Sequence, residues 1–266
     1  MLDNYSGATR IYPLVGDPIA QTMSPRNMTR AFEAAGRDAI VVPWQVAVAD
    51  IENVLAALGR TRNIDGILAT VPHKFAAFGF ASTATERARF LQSANVLRRN
   101  ADGGWHADMT DGVGLVRGLQ SLGCTFSGRR ALLVGAGGAG SAVGYELADG
   151  GIEHLAVHDI DSGRRDALLA KLNRSFPGRA SVGSDDPTGF DIVVNATMAG
   201  MRETDPAPVR LAALTRNMTV ADLITAPEIT PLIAAARQLG CLTQTGVGMH
   251  TFIVPLMLEF FAPAVR

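Results

Sequence analysis

Short apolar runs alternate with amphipathic segments along most of this chain. In the first half, three runs are apolar enough to predict buried strands: 11–16, 40–44 and 66–71. The segments between and after them have the spacing of helices: 24–36, 48–58 and 85–91. Ser24 and Pro25 suit the N-cap and the first position of the first of these helices. Strands that alternate with helices predict a mainly parallel sheet.

The second half repeats this alternation. Four apolar runs predict strands: 131–134, 155–159, 191–195 and 218–223. Helical spacing marks the segments 111–122 and 246–261. We therefore predict two α/β domains. The first covers residues 1–108 and is completed by a C-terminal helix over 247–266, and the second covers residues 109–246.

A glycine-rich turn follows the strand at 131–134 directly, with the sequence Gly-Ala-Gly-Gly-Ala-Gly over residues 135–140. Gly135 would permit a tight turn, Gly137 would let a pyrophosphate approach the backbone, and Gly140 would let the next helix pack closely. Together with Ala136, Gly138 and Ala139, they would place free N–H groups at a helix N-terminus. This context predicts a Rossmann-like, doubly wound parallel sheet that binds a dinucleotide. The alternative is a glycine-rich turn without a nucleotide.

An acid ends the next predicted strand. Asp159 lies 19 residues after Gly140, where a carboxylate would accept hydrogen bonds from the adenosine ribose. A 2′-phosphate about 4 Å away would be repelled by roughly 4 kcal/mol at an effective dielectric constant near 20. The following residue, Ile160, is uncharged, and Arg164 is among the few cations nearby. We therefore expect NAD to be preferred over NADP as the cofactor.

Composition excludes several classes of partner. The 266-residue chain is 47% hydrophobic and 18% charged, with a formal net charge of −1. We therefore expect neither nucleic acid nor an anionic membrane as a partner. There is no secretory signal pattern and no uncharged apolar stretch of about 20 residues, and two cysteines fit a reducing cytoplasm. The five histidines lack metal-ligand spacing, so no metal is expected. A homodimer is compatible with the sequence.

Several short motifs stand in an order that resembles the shikimate/quinate dehydrogenase family. They are Gly16–Pro25, Thr70–Lys74, Ala94–Asn95, Asp108–Gly114 and the glycine-rich turn. The gaps between them also match, with 21 residues from Lys74 to Asn95, 16 from there to Asp111 and 24 from there to Gly135. The resemblance covers nearly the whole chain. It implies an N-terminal α/β substrate domain, a C-terminal Rossmann-like domain, and hydride transfer between a cyclic hydroxy acid and a nicotinamide cofactor.

The resemblance also assigns roles to residues. Lys74 and Asp111 correspond to the catalytic pair, which would handle the alcohol proton as hydride leaves the carbon. Positions implied to contact the substrate are Thr22, Ser24, Thr70, Asn95 and Ile253. Other positions are implied to contact the cofactor, besides the glycine-rich turn, Asp159, Ile160 and Arg164. They are Asn195, Ala196, Thr197, Leu223, Gly246 and Met249.

Four positions depart from the family pattern. Leu68, Met109 and Ile253 stand where the family has polar amides, and Thr225 replaces a tyrosine. A site that reads hydroxyl groups discriminates through such polar partners. We therefore expect a ring acid that is less hydroxylated than shikimate or quinate, or one with an apolar substituent, to fit the site better than shikimate itself.

Two other interpretations remain open. One is a cofactor- or metabolite-binding sensor of the same fold without turnover, which the apolar replacements motivate. The other is a different two-domain dehydrogenase, such as the methylenetetrahydrofolate type, against which the order of the motifs argues.

Overall fold

A computed structural model describes residues 5–20, 22–202 and 204–262. The outermost residues of the predicted domains, 1–4 and 263–266, lie outside the described residues. The chain divides into two compact units. Unit 1 runs to Thr110 and resumes at Ile253, and unit 2 spans Asp111–Phe252.

Unit 1 is built around a six-stranded sheet. Its elements are β1 (Arg10–Gly16), α1 (Ser24–Ala34), β2 (Ala39–Gln45), a 3₁₀ turn (Val48–Asp50), α2 (Ile51–Arg60), β3 (Gly66–Ala69), α3 (Lys74–Phe80), β4 (Thr83–Ala84), α4 (Glu86–Leu91), β5 (Val96–Arg99) and β6 (Trp105–Asp108). The strand order is β2-β1-β3-β5-β6-β4. Three neighbouring pairs are parallel, but β5 runs antiparallel to both β3 and β6.

The antiparallel strand β5 was not predicted, and it determines where several polar residues lie. A tight turn joins β5 to β6, with Gly103 at φ 86° and an Asp102 carboxylate that accepts the Gly104 N–H at 2.9 Å. Because β5 is reversed, its first residues lie beside the carboxyl end of β3. The end of β6 returns to the same edge, where Asn95 N–H donates to the Asp108 carbonyl at 3.0 Å.

Local differences from the predicted elements have simple causes. Ser24 is the first residue of α1 rather than its cap, and Met23 occupies the N-cap position without a side-chain hydrogen bond. The strand predicted over 66–71 ends at Ala69, because the chain turns there and His73 N–H donates to the Thr70 carbonyl at 2.8 Å.

The last residues described also belong to the core of unit 1. The Phe261 ring lies 4.9 Å from the Tyr12 ring, and its backbone carbonyl accepts a hydrogen bond from Arg37 at 2.9 Å. A side chain at Gly66 would collide with both rings. Phe261, which follows α9 late in the chain, is therefore packed against the sheet that the first strands form.

Unit 2 contains six strands, all paired in parallel. Its elements are α5 (Asp111–Ser121), β7 (Arg130–Val134), α6 (Gly138–Asp149), β8 (His154–His158), α7 (Ser162–Ser175), β9 (Ala180–Val182), β10 (Ile192–Asn195), a 3₁₀ turn (Leu211–Ala213), β11 (Thr219–Asp222), α8 (Pro231–Gln238), β12 (Leu242–Gln244) and α9 (Gly246–Phe260), whose second half belongs to unit 1. The order β12-β11-β10-β7-β8-β9 is that of a doubly wound sheet, with the direction of winding changing between β7 and β10. The predicted fold class is confirmed.

Across the described ranges, no helix is both long enough and apolar enough to cross a membrane.

Candidate functional site

In unit 1, the predicted substrate contacts other than Ile253 lie at one edge of the sheet. Strands β1 and β3 are parallel neighbours, so the segments that follow them begin at the same edge. Thr22 and Ser24 follow β1, and Thr70 and Lys74 follow β3. The Thr22 hydroxyl donates to the Ile19 carbonyl at 2.9 Å, which shapes the turn before α1. Open α/β sheets bind ligands at this edge.

Asn95 connects this edge to the segment before Asp111. Its side chain is 3% exposed, and its amide oxygen accepts the Thr110 N–H at 2.9 Å. Its amide nitrogen lies 3.0 Å from the Thr110 hydroxyl oxygen, to which it donates. Its backbone carbonyl accepts the Ala69 N–H at the end of β3. Asn95 therefore fixes the conformation of the backbone that leads to Asp111.

Lys74 is the first residue of α3 and is half-buried. The preceding His73 is buried, and its Nε2 lies 2.7 Å from the Val46 carbonyl oxygen, which ties the start of α3 to the chain after β2. The Lys74 carbonyl accepts the Ala94 N–H at 2.9 Å. The backbone of Lys74 is thus held from both sides.

The positions that depart from the family pattern are mostly buried. Leu68 in β3 and Met109 are each 1% exposed, and Ile253 in α9 is 3% exposed. Thr225, in contrast, is exposed in unit 2. The three apolar replacements are therefore packed residues of unit 1.

In unit 2, the glycine-rich turn has the geometry that its sequence predicts. Gly135 has φ 103°, and Gly140 approaches Gly135 so closely that a Cβ there would overlap its carbonyl oxygen. A Cβ on Gly137 or Gly138, in contrast, would meet nothing within 4 Å. The N-terminus of α6 therefore has open space in front of it, as a phosphate-binding helix requires.

Asp159 stabilises this turn through hydrogen bonds to the backbone. One carboxylate oxygen accepts the Ala136 N–H at 2.6 Å, and the other accepts the Asp161 N–H at 2.8 Å. Ile160, between them, is 99% exposed. Arg164 Nε lies 3.2 Å from an Asp161 carboxylate oxygen.

A cavity of about 680 Å³ opens at this turn. Among the predicted cofactor contacts, it is lined by Gly135, Gly137, Asp159, Ile160, Arg164, Ala196 and Thr197. It is also lined by Met198 and by residues that sequence reasoning missed: Val134, His158, Asp185, Ala199, Pro206, Ala207 and Pro208. Most of these follow the carboxyl ends of β8, β9 and β10, which is the signal that could have found them.

Other predicted cofactor residues do not line this cavity. Ala136, Gly138 and Ala139 lie in the turn and the first turn of α6. Asn195 is fully buried with its amide bonded to neighbouring protein groups. Gly246 approaches the carbonyl oxygens of Leu223 and Ile224, each 2.5 Å from a Cβ built on the glycine. Met249 is 8% exposed in α9.

Asp111 is the first residue of α5, and its charge acts on His250 of the same unit. Burial lowers the pKa of His250, while the Asp111 carboxylate offsets part of this effect. Within the described ranges, no group of three or more His, Cys, Asp or Glu residues could hold a metal ion.

Comparison with known proteins was made by sequence and by fold. The model of the shikimate dehydrogenase substrate-binding domain matches residues 14–97. A shikimate dehydrogenase (NADP(+)) from Geobacter metallireducens is 34% identical over 255 residues, covering 92% of this chain and 88% of the relative.

Two solved structures resemble the chain in both fold and sequence. Quinate dehydrogenase from Corynebacterium glutamicum, in complex with NAD, is 26% identical with a TM-score of 0.87, covering 96% of this chain and 94% of that one. The ligand-free 5-ketofructose reductase of Gluconobacter sp. strain CHM43 is also 26% identical, with a TM-score of 0.88 and the same coverage.

The predicted preference for NAD over NADP is contradicted by the curated relatives. The Geobacter metallireducens relative and others at 32–34% identity are named as NADP(+) enzymes. The structure provides a physical reason for the error. Each Asp159 carboxylate oxygen accepts one backbone N–H, from the turn or from the loop, so an acid at this position already has a structural role and does not by itself identify the cofactor.

The ordered motifs, the doubly wound second sheet and the extent of the sequence match agree with one another. The chain belongs to the shikimate dehydrogenase family.

Proposed function

We propose that this chain is a dehydrogenase that interconverts a secondary alcohol and a ketone on a cyclic hydroxy acid, with a nicotinamide dinucleotide as hydride carrier. The observation that carries the proposal is the cavity of about 680 Å³ at the glycine-rich turn. It lies at the N-terminus of α6 and at the point where the winding of the sheet changes, where dinucleotides bind in such folds. When bound there, the dinucleotide would accept or donate the hydride.

The substrate would be held by unit 1. Thr22 and Ser24, at the start of α1, would hold the substrate carboxylate, and Thr70 and Asn95 would contact the ring hydroxyls. The convergence of these segments at one edge of the sheet supports this assignment. Ile253 is proposed as a further substrate contact, of apolar character. The buried apolar residues Leu68 and Met109 favour a substrate with no more hydroxyl groups than shikimate or quinate.

Lys74, together with Asp111, would take up the alcohol proton as the hydride leaves. The choice of lysine supports this role, because only two of the 24 basic residues in the chain are lysines. Arginine keeps its proton at any pH at which the protein is folded, whereas lysine can exchange one. Lys74 is one of these two lysines, in a chain whose other positive charges are almost all arginines, so it can exchange the proton that the proposed reaction moves.

Initial-rate assays test the proposal directly. Purified protein is incubated with NAD⁺ or NADP⁺ and with shikimate, quinate or less hydroxylated cyclic acids, and nicotinamide reduction is followed at 340 nm. Turnover of any of these acids is the expected result. Tight cofactor binding without turnover of any alcohol would contradict it and favour the sensor interpretation.

A further inference from the structure

A buried carboxylate stands at the end of β11, next to the loops that line the cavity. Asp222 is 1% exposed, and its three hydrogen-bond donors are all uncharged. One carboxylate oxygen accepts from the Asn195 side-chain amide at 3.1 Å and from the Ile224 N–H at 3.0 Å. The other accepts from the Thr230 hydroxyl at 2.7 Å. Burial raises the pKa of Asp222, and the three hydrogen bonds lower it by less. The free-energy cost of burying the charged carboxylate is therefore only partly offset by its neighbours.

The chemistry of a carboxylate determines the orientation of Asn195. An ionised carboxylate only accepts hydrogen bonds, so the NH₂ group of the Asn195 amide must point towards Asp222. The amide oxygen then points the other way, where it accepts the Thr197 N–H at 3.0 Å and the Thr197 hydroxyl at 2.7 Å. The same NH₂ group also donates to the Ala199 carbonyl at 3.1 Å.

These bonds fix the loop over residues 196–199. The Thr197 hydroxyl accepts the Ala199 N–H at 3.0 Å, so the loop is closed on itself as well as on Asn195. All four loop residues line the cavity. The Ala196 carbonyl and the Thr197 methyl group also lie against Gly135, where a Cβ would come within 2.8 Å of each. The loop thus forms one wall of the cavity and abuts the glycine-rich turn.

Asp222 also fixes the chain on its other side. Its bond to the Ile224 N–H shapes residues 222–224, and the Leu223 N–H donates to the Asn195 carbonyl at 3.0 Å. Thr230, which donates to Asp222, is the N-cap of α8 and accepts the Ile233 N–H. One carboxylate therefore links the end of β10, the end of β11 and the start of α8.

We propose that Asp222 is a positioning residue for the cofactor: through Asn195 it sets the shape of loop 196–199, and thereby of the wall against which the dinucleotide binds. This inference rests on the proposed function, because it takes the cavity to be the cofactor site. Asp222 acts through Asn195 and the loop and is not itself a catalytic residue. Its effect belongs to cofactor affinity rather than to the chemical step.

Direct binding measurements on the full chain test this role. NAD⁺ and NADP⁺ are titrated calorimetrically into the wild-type protein and into the Asp222→Asn variant. An asparagine at 222 can point its NH₂ group towards Asn195, so the Asn195 amide can flip and present its oxygen there instead. The flipped amide no longer accepts the two Thr197 hydrogen bonds that hold the loop. We expect the Kd of the better cofactor to rise about tenfold, a usual effect of losing a hydrogen bond to a charged group. At saturating cofactor, kcat should stay within about threefold of wild type, because the reacting atoms are untouched.

A second variant and a control keep the test decisive. Thr230→Val removes one donor to Asp222 and should raise the cofactor Kd about threefold. This variant still tests the inference if Asp222→Asn fails to fold. Leu172→Ala, in the buried face of α7, should lower Tm without changing cofactor Kd. Unchanged affinity in both network variants, while wild type binds, would overturn the inference. Absence of binding by wild type would instead overturn the proposed function.

Discussion

The Arg87 guanidinium forms a two-pronged ion pair with the buried carboxylate of Asp108. Nε donates to one oxygen at 2.8 Å and Nη2 to the other at 2.6 Å, while the Thr85 hydroxyl and the Met109 N–H also donate to the first oxygen. Asp108 is the last residue of β6, three residues before Asp111. The pair therefore holds the segment through which unit 1 leads into the first turn of α5.

Removal of Arg87 should destabilise the protein far more than removal of a similar pair at the surface. Arg87→Ala leaves a carboxylate that is 3% exposed without its cation, which costs about 3 kcal/mol in comparable buried pairs. Arg10 forms an equally two-pronged pair with Asp65, but both side chains are more than a third exposed. Arg10→Ala should therefore cost at most about 1 kcal/mol. Urea unfolding of both variants checks this, and equal losses would show that burial of Asp108 is unimportant.

Lys74 can be tested against a matched control, because the chain has one other lysine, the exposed Lys171 of α7. Lys74→Ala should lower kcat by about a thousandfold, the usual scale of general acid–base catalysis, and leave cofactor Kd nearly unchanged. Lys171→Ala should behave as wild type. Lys74→Arg separates charge from proton transfer, since arginine retains the charge but does not release its proton. An active Lys74→Arg enzyme would mean that Lys74 only supplies charge.

The two kinds of glycine in the turn should respond differently to alanine. Gly140→Ala brings a methyl group into the Gly135 carbonyl, and we expect a loss of about 2–3 kcal/mol in stability. Gly137→Ala meets only open space and should leave Tm unchanged, yet its methyl group would stand where the phosphates approach. Its cofactor Kd should rise by at least about tenfold. Normal cofactor binding by Gly137→Ala would place the dinucleotide elsewhere.

Acid should destabilise the protein partly through His250. Burial lowers the pKa of this histidine from its ordinary value of 6.5. As pH falls below that value, the unfolded chain binds a proton that the folded chain still excludes, so stability is present above pH 6.5 and is lost below it. A His250→Gln variant should therefore lose less Tm than wild type between pH 7.5 and 5.5.

Asp111→Asn provides the opposite control for this prediction. Because the Asp111 carboxylate favours the protonated histidine, its removal should lower the pKa of His250 further and enlarge the loss of Tm in acid. Histidine NMR titrations of the wild-type and Asp111→Asn proteins would measure the shift itself. A pKa of His250 at or above 6.5 in wild type would contradict the argument.

The sequence predicted the longer parallel strands of the fold because their signals are local, and it missed the short parallel strands β4, β9 and β12. An apolar run such as Leu132–Val134 by itself predicts a buried strand. The glycine pattern that follows it is typical of one structure, a tight turn into a helix. Strand β5 was missed because Arg98 and Arg99 interrupt its apolar run after two residues. Those arginines lie on a strand only because β3 and β6 supply partners, and no local signal shows this.

The candidate site was predictable as a set of segments but not as a network. Asn195 was expected to contact the cofactor, whereas its buried amide is occupied by Thr197, Ala199 and Asp222. Asp222 itself was not singled out, because a single acid at the end of an apolar run has many common roles. Its two side-chain partners, Asn195 and Thr230, are 27 and 8 residues away in the chain, and only the folded structure brings them together.

The packing of Phe261 against Tyr12 has a consequence for the order in which the protein is made. The ribosome translates unit 1 up to Thr110 before unit 2, but the second half of α9 and Phe261 follow only after unit 2. Unit 1 is thus begun before unit 2 and completed after it. Until Phe261 is made, the nascent chain exposes the apolar surface around Tyr12, Gly66 and Phe32 that this residue covers.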